Sequence, residues 1–192
     1  MWVNQLTYVS FRTFATVISR HIVRDDFIIF SDTTTSDEST ILYNGEEVTT
    51  IANKNLGNRF IHGFSIDGFS YFSKSLKFNG SISYIKGDEN ETYGPMPSIS
   101  PIFGTISGEY SKNKFKISAL YKFSGDKSPG DYSLGGEDGL EETPEIIESN
   151  GLIKYAGTPK WSDFSIYTNY DISQDVKVRF ALTNIFDNHY RS

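Results

Sequence analysis

The stretch Leu76-Lys77-Phe78-Asn79-Gly80-Ser81-Ile82-Ser83-Tyr84-Ile85 sets the reading of the whole chain. Leu76, Phe78, Gly80, Ile82 and Tyr84 fall on one side of an extended backbone, and Lys77, Asn79, Ser81, Ser83 and Ile85 on the other. Successive side chains of a strand point to opposite faces, so this is the period of a strand with two unlike faces. Residues 115–123 repeat it, with Phe115, Ile117, Ala119, Tyr121 and Phe123 against Lys116, Ser118, Leu120 and Lys122. The stretches 164–172 and 176–183 do the same. Over these four stretches the apolar face has 19 positions and no charge, whereas the other has 17, of which six are Lys, Arg or Asp. No helical period competes.

Weaker alternation extends the pattern in both directions. Phe64, Ile66, Gly68, Ser70 and Phe72 mark a strand beginning near Gly57, and Ile106, Gly108 and Tyr110 one from about Phe103. The stretch 6–23 is strand-like in composition but alternates poorly. Ser73-Lys74-Ser75, Ser111-Lys112-Asn113 and Ser173-Gln174-Asp175 read as tight turns. Between them lie long loops at about 25–56, 87–101 and 126–162, the latter two holding all six prolines. Proline cannot donate to a ladder, so its absence from every expected strand supports the boundaries. Loops of this length are uncommon in compact domains. Here they alternate with short turns, so every long loop leaves the same end of an antiparallel up-and-down meander of about seven strands.

Composition narrows the classes. Hydrophobic residues make up 38% of 192 residues, below the usual share of about 45–50%, yet aromatics reach 15%. Disordered chains lack aromatics. A membrane-spanning helix needs roughly 20 consecutive apolar residues, and the longest clear run is Phe27-Ile28-Ile29-Phe30. The same shortfall leaves no secretory apolar segment near Met1. With no cysteine there is neither a disulfide framework nor a thiolate metal site. A net charge of −6 argues against a nucleic-acid partner.

Two architectures share this alternation. A soluble extracellular β-sandwich serving as a ligand-binding module would bury the uncharged stripe against a second sheet. An outer-membrane barrel would turn that stripe to lipid and the polar face to the lumen, with short turns at one end and long loops at the other. The segregated loops favour the barrel. So do the aromatics near strand ends: Tyr71, Phe72, Tyr110, Phe115 and Tyr170 beside the turns, and Tyr84, Phe103, Tyr121, Phe123 and Phe164 beside the long loops.

Particular sequences then point to a family. Gly125-Asp126-Lys127-Ser128, Asp131-Tyr132-Ser133-Leu134-Gly135-Gly136-Glu137-Asp138 and Gly157-Thr158-Pro159-Lys160-Trp161-Ser162 resemble a late extracellular loop of TonB-dependent outer-membrane receptors. Leu182-Thr183-Asn184-Ile185-Phe186-Asp187-Asn188-His189-Tyr190-Arg191 resembles the penultimate-strand motif of that family, and Ile22-Val23-Arg24, at the end of the first strand, an earlier segment. The match runs from about residue 57 to 192 and extends back to residue 6.

The resemblance implies energy-coupled import of a bulky, scarce nutrient (iron–siderophore, cobalamin, haem or a glycan) across the outer membrane of a Gram-negative bacterium. Such receptors close about 22 strands around a plug, and the plug engages TonB. Residues 1–192 are expected to supply only part of the barrel, without plug or signal peptide. By the same resemblance the chain is expected to stop short of the last strand, which the barrel-assembly machinery reads. It is therefore expected not to transport alone. Family loops help to capture substrate, which makes Tyr132 and Trp161 candidates for substrate contact.

Other constellations are weaker. Asp126, Asp131, Glu137, Asp138, Glu141, Glu142, Glu145 and Glu148 are oxygen donors of the kind that hold Ca²⁺, but they lack the spacing of a dedicated calcium loop. A solvated acidic loop is the preferred reading. Gly63-Phe64-Ser65-Ile66-Asp67 imitates a nucleophile elbow without its final glycine, so Ser65 and Asp67 read as lumen-facing strand residues. His21, His62 and His189 form no ligand-spaced set, and His62 reads as a strand residue near the outer end. The sequons at Asn79 and Asn90 read as chance matches. With no acid–base pair, nucleophile set, metal site or cofactor motif, no enzyme is expected.

Overall fold

The computed structural model describes residues 6–26, 40–55, 57–87, 89–90, 94–133 and 139–188. Seven strands form one antiparallel sheet in chain order: β1 (Thr7–Ile18), β2 (Arg59–Tyr71), β3 (Leu76–Gly87), β4 (Phe103–Lys112), β5 (Phe115–Ser124), β6 (Trp161–Asp171) and β7 (Lys177–Leu182). The sheet is open, with β1 and β7 at its edges.

The short connections explain themselves chemically. At 72–75, the Ser73 hydroxyl accepts the Ser75 N–H at 3.2 Å. At 172–176, the Ser173 hydroxyl accepts the N–H groups of Asp175 and Val176 at 3.3 and 3.2 Å. Serine hydroxyls close turns in this way by standing in for a backbone acceptor. The middle turn is Asn113-Lys114, with Asn113 at φ 54°, and it begins two residues later than the expected Ser111-Lys112-Asn113. Ser111 and Lys112 stay in the ladder opposite Lys116 and Phe115.

Pairing puts one parity of each strand on a common face. Val9 and Phe11 on β1 meet Gly68 and Ile66 on β2. Ile66 meets Ile82 on β3, and Ile82 meets Gly104 on β4. Tyr121 on β5 meets Phe164 on β6, and Ile166 meets Leu182 on β7. Rings run across the strands, with Phe11–Phe64 centroids 6.2 Å apart and Phe64–Tyr84 5.6 Å apart. Cross-strand pairs of this type contribute about 0.2–1 kcal/mol each. Nothing among the described residues forms a second layer over this face. Val9 is 68% exposed, Phe11 64%, Ile106 56% and Phe180 61%. This is not a sandwich, because a sandwich covers its apolar face.

The opposite face is polar and internally paired. Arg12 and Asp67 form an ion pair across β1 and β2, Lys116 and Glu109 one across β5 and β4 at 2.7 Å, and Lys177 and Asp171 one across β7 and β6 at 3.6 Å. Asn79 donates to the Ser107 hydroxyl at 3.3 Å, which leaves its sequon in the middle of a strand.

Three expectations change, and one is explained. Tyr71 and Phe103 do not join the aromatic ends of the apolar face: Tyr71 pairs with Lys77 and Phe103 with Ser83, both on the polar face. β1 alternates poorly because its polar face also carries rings, Tyr8 stacked on Phe69 at 5.7 Å and Phe14 over Gly63. Ile22–Asp26 is not the end of the first strand. It is a separate short strand paired with Ile51–Asn55, beyond a break where Arg20 and Gly57 take φ 55° and 85°. The register does not slip across that break, for Ile18 faces Arg59 and Ile22 faces Asn55. Finally, the long connections are not bare loops. They hold hairpins at Thr40–Tyr43 with Glu46–Thr49, Glu89–Asn90 with Gly94–Pro95, and Glu145–Ile147 with Ile153–Tyr155. Asn44-Gly45 turns the first of these with φ 52° and 88°, the conformation that this dipeptide favours. Phe27-Ile28-Ile29-Phe30 lies outside the described residues. Among those residues no helix is long and apolar enough to cross a membrane.

Candidate functional site

Connections 19–58, 88–102 and 125–160 gather at one end of the sheet. The third begins as a prolongation of the wall. Ser124 faces Trp161, and three residues further along each strand Lys127 and Thr158 exchange backbone hydrogen bonds of 2.8 and 2.9 Å. A 3-10 turn at Pro129–Asp131 follows, tied by the Asp131 carboxylate, which accepts the Ser128 N–H at 3.2 Å and hydroxyl at 2.5 Å. The turn delivers Tyr132 into the loop base, where it is 5% exposed. Its hydroxyl shares a 2.6 Å hydrogen bond with that of Thr158, and the Lys127 ammonium lies 4.5 Å from its ring centroid. Thr143, 8% exposed, closes the far side by donating to the Leu140 carbonyl at 2.7 Å and accepting the Gly157 N–H at 3.2 Å.

Above this base stands the 145–155 hairpin. Ile146, Ile147, Leu152 and Ile153 are all at least half exposed, and Lys154 pairs with Glu148 at 2.5 Å. An exposed apolar cluster on a loop tip is the kind of surface that marks an interaction site. Between the second and third connections lies a cleft of about 240 Å³, lined in part by Tyr84, Lys86, Met96, Ile102, Asp126 and Asp131. Met96 is buried against Gly87, where a Cβ would come within 2.8 Å of its side chain.

The closing stretch 182–188 folds back on β6. Asn184 takes φ 50°, and its side-chain amide donates to the Asn188 carbonyl and accepts the Asn188 N–H, both at 3.2 Å. Asn188 in turn donates to the Ser162 carbonyl at 2.7 Å, and Phe186 stacks on Phe164 at 5.6 Å. Beneath this turn, Ser165 and Asp163 are 1% and 5% exposed and share a hydrogen bond of 3.2 Å. The two asparagines give the motif its shape, because an asparagine side chain can mimic a backbone turn.

The sequence candidates are thus separated. Tyr132 is enclosed in the loop base, with its hydroxyl engaged. Trp161 lies at the start of β6, lining a different concavity with Tyr121, Phe123 and Lys160. Asp126, Asp131, Glu141, Glu142, Glu145 and Glu148 do not gather in threes, and no group of three metal-ligating side chains occurs among the described residues. Glu137, Asp138, His189 and most of the second sequon lie outside them. Ser65 faces Arg12 and Asp67 pairs with it, within a regular strand. His62 stacks on Phe60 at 5.4 Å. Arg59 was missed from sequence. It is 3% exposed and donates to the Gly94 carbonyl at 3.3 Å, tying β2 to the second connection. An arginine at a strand start gives no sign of such burial.

A one-layer antiparallel meander, apolar on one face and polar on the other, with its long connections at one end, has the architecture of part of a β-barrel wall. Its fold is that of part of the barrel of TonB-dependent receptors. It is similar to the copper transporter OprC, with a TM-score of 0.65, 14% identity, and coverage of 97% of this chain and 24% of that one. It is also similar to the siderophore receptor PirA from Acinetobacter baumannii, with a TM-score of 0.63, 16% identity, and coverage of 94% and 26%. The chain thus spans about a quarter of the length of these structures. No family model and no curated protein sequence matches it.

Proposed function

We propose that the chain forms wall and mouth of a TonB-dependent receptor in the outer membrane of a Gram-negative bacterium. The whole receptor would import a bulky, scarce nutrient: an iron–siderophore complex, cobalamin, haem or a glycan. The observation that carries this reading is the uncovered apolar face, uncharged between its two ends and continuous over seven strands. In water, an exposed apolar surface of that extent is an aggregation liability. In lipid it is the correctly solvated surface, provided that the backbone pairs within the sheet. Most strands have 10–13 residues, near the length that spans a bilayer at a tilt. In this reading the 145–155 hairpin and the mouth cleft meet the cargo. TonB acts through a plug, the assembly machinery inserts the barrel, and the chain performs no chemistry of its own.

Because the chain has no cysteine, single cysteines report topology cleanly. On intact cells an impermeant maleimide is expected to label Asn150→Cys at the loop tip and to leave Gln174→Cys in a short turn unlabelled. Ile106→Cys is expected to react only with a membrane-partitioning reagent. Labelling of Gln174→Cys from outside, or of Ile106→Cys by the impermeant reagent, would overturn the reading.

A further inference from the structure

The cleft between the second and third connections, of about 240 Å³, is smaller than the roughly 300–1,000 Å³ of pockets that enclose a whole small molecule. It has room for one arm of a larger cargo. Its walls are fixed at both ends. At one, the Arg59 guanidinium donates to the Gly94 carbonyl, Met96 is seated on Gly87, and Gly94–Pro95 lies beside the Pro129–Asp131 turn. At the other, the Gly125 N–H donates to the Ile102 carbonyl at 2.7 Å, and a Cβ on Gly125 would come within 2.9 Å of the Ile102 side chain. The two connections therefore meet directly beside Asp126. Tyr84, Met96, Ile99 and Ile102 make the lining largely apolar.

Four charged side chains also line the cleft, and they are not equivalent. The Asp131 carboxylate accepts the Ser128 N–H and hydroxyl. The Lys127 ammonium lies over the Tyr132 ring, and Lys86 is engaged as well. Asp126 is exposed, and its carboxylate has no hydrogen bond or ion pair among the described residues. The three long connections hold 18 of the chain's 24 Asp and Glu but only 6 of its 18 Lys and Arg. The field over the cleft is therefore negative and draws in cations. We propose that this cleft binds a cationic arm of the cargo, an alkylammonium group whose apolar stem lies against Met96, Ile99 and Ile102 and whose charge meets Asp126. A neutral arm uses the lining but not the carboxylate, and a bare cation uses the carboxylate but not the lining. The proposal rests on the receptor reading and narrows its cargo to molecules that carry such an arm.

Ser100 is exposed and lines the cleft, and the chain has no cysteine, so Ser100→Cys reports occupancy. With the full chain in phosphatidylcholine vesicles, n-pentylammonium is expected to slow maleimide labelling of Ser100→Cys at concentrations at which n-pentanol and n-pentanoate do not. Asn150→Cys, on the hairpin that carries Glu145 and Glu148, is expected to gain no protection, which separates the cleft from the charge of the mouth. Adding Asp126→Asn is expected to weaken the protection by about tenfold or more, the usual worth of a hydrogen bond to a charged group. Adding Asp175→Asn, in a short turn, is expected to leave it unchanged. Equal protection by n-pentanol, equal protection of Asn150→Cys, protection that survives Asp126→Asn, or no protection at all overturns the site. The barrel reading stands through each of these if Asn150→Cys and Gln174→Cys keep their expected labelling on intact cells. Inversion of that labelling overturns the barrel reading, and with it the assignment of the cleft to cargo.

Discussion

Gly157 shows how one residue holds the mouth together. It sits at φ +75°, and a Cβ there would collide with the Lys127 carbonyl and come 3.2 Å from Pro129 Cδ. An L-residue in the left-handed region costs about 1–2 kcal/mol, and the collision adds to that. Gly157→Ala is therefore expected to open the loop base and speed proteolytic nicking between residues 125 and 160. Gly130→Ala, which meets nothing within 4 Å and has no left-handed φ, is expected to leave the digestion pattern unchanged. Equal cleavage of the two variants would show that the base does not depend on Gly157. Tyr132 acts in the same place. Tyr132→Phe removes only the hydrogen bond to Thr158 and is expected to cost about 1 kcal/mol. Tyr132→Ala also empties a buried ring site and is expected to cost about 3–5 kcal/mol, both read from equilibrium unfolding of the loop base. Neither Gly157 nor Tyr132 announces this role in the sequence, because the partners lie about 30 positions apart and meet only through the extended ladder.

At the scale of the strand, the face matters more than the position. Ile106 and Ser107 are neighbours near the middle of β4, yet Ile106 lies opposite Tyr121 on the apolar face and Ser107 opposite Leu120 on the polar one. If the apolar face meets lipid, Ile106→Lys is expected to destabilise by about 2–4 kcal/mol. Ser107→Lys, near Asn79 on the polar face, is expected to be nearly neutral. Denaturant unfolding from vesicles measures both, and equal effects would contradict the assignment of faces. The alternation that assigns these faces was plain in the sequence wherever only one face carried rings. It was obscured in β1, where Tyr8 and Phe14 occupy the polar face because Phe69 and Gly63 offer them seats there. Pairing partners on another strand decide that, and local sequence does not contain them.

At the scale of the molecule, parity governs how the sheet is completed. With seven antiparallel strands, β1 and β7 run in the same direction. Copies joined edge to edge in a ring of common orientation would meet at parallel seams, whereas an antiparallel seam on both sides needs an odd number of intervening strands. Co-expression with a complementing barrel segment is therefore expected to yield heat-resistant, membrane-inserted barrels when that segment supplies an odd number of strands. Segments with an even number are expected to fail. Insertion that is indifferent to this count would refute the antiparallel closure.

The period of two, the charge-free stripe and the grouping of prolines were enough by themselves to determine an all-β meander with long connections at one end. Each of these is a local property, set by where consecutive side chains must point. Tertiary structure alone decided that the long connections carry their own hairpins, that the third is a stiff prolongation of the wall, and that Tyr132 is enclosed while Trp161 lines a separate concavity. It also decided that Tyr71 and Phe103 face the polar side. These outcomes depend on cross-strand register and on contacts between residues far apart in the chain, and a change of one residue in register reverses which face a side chain occupies.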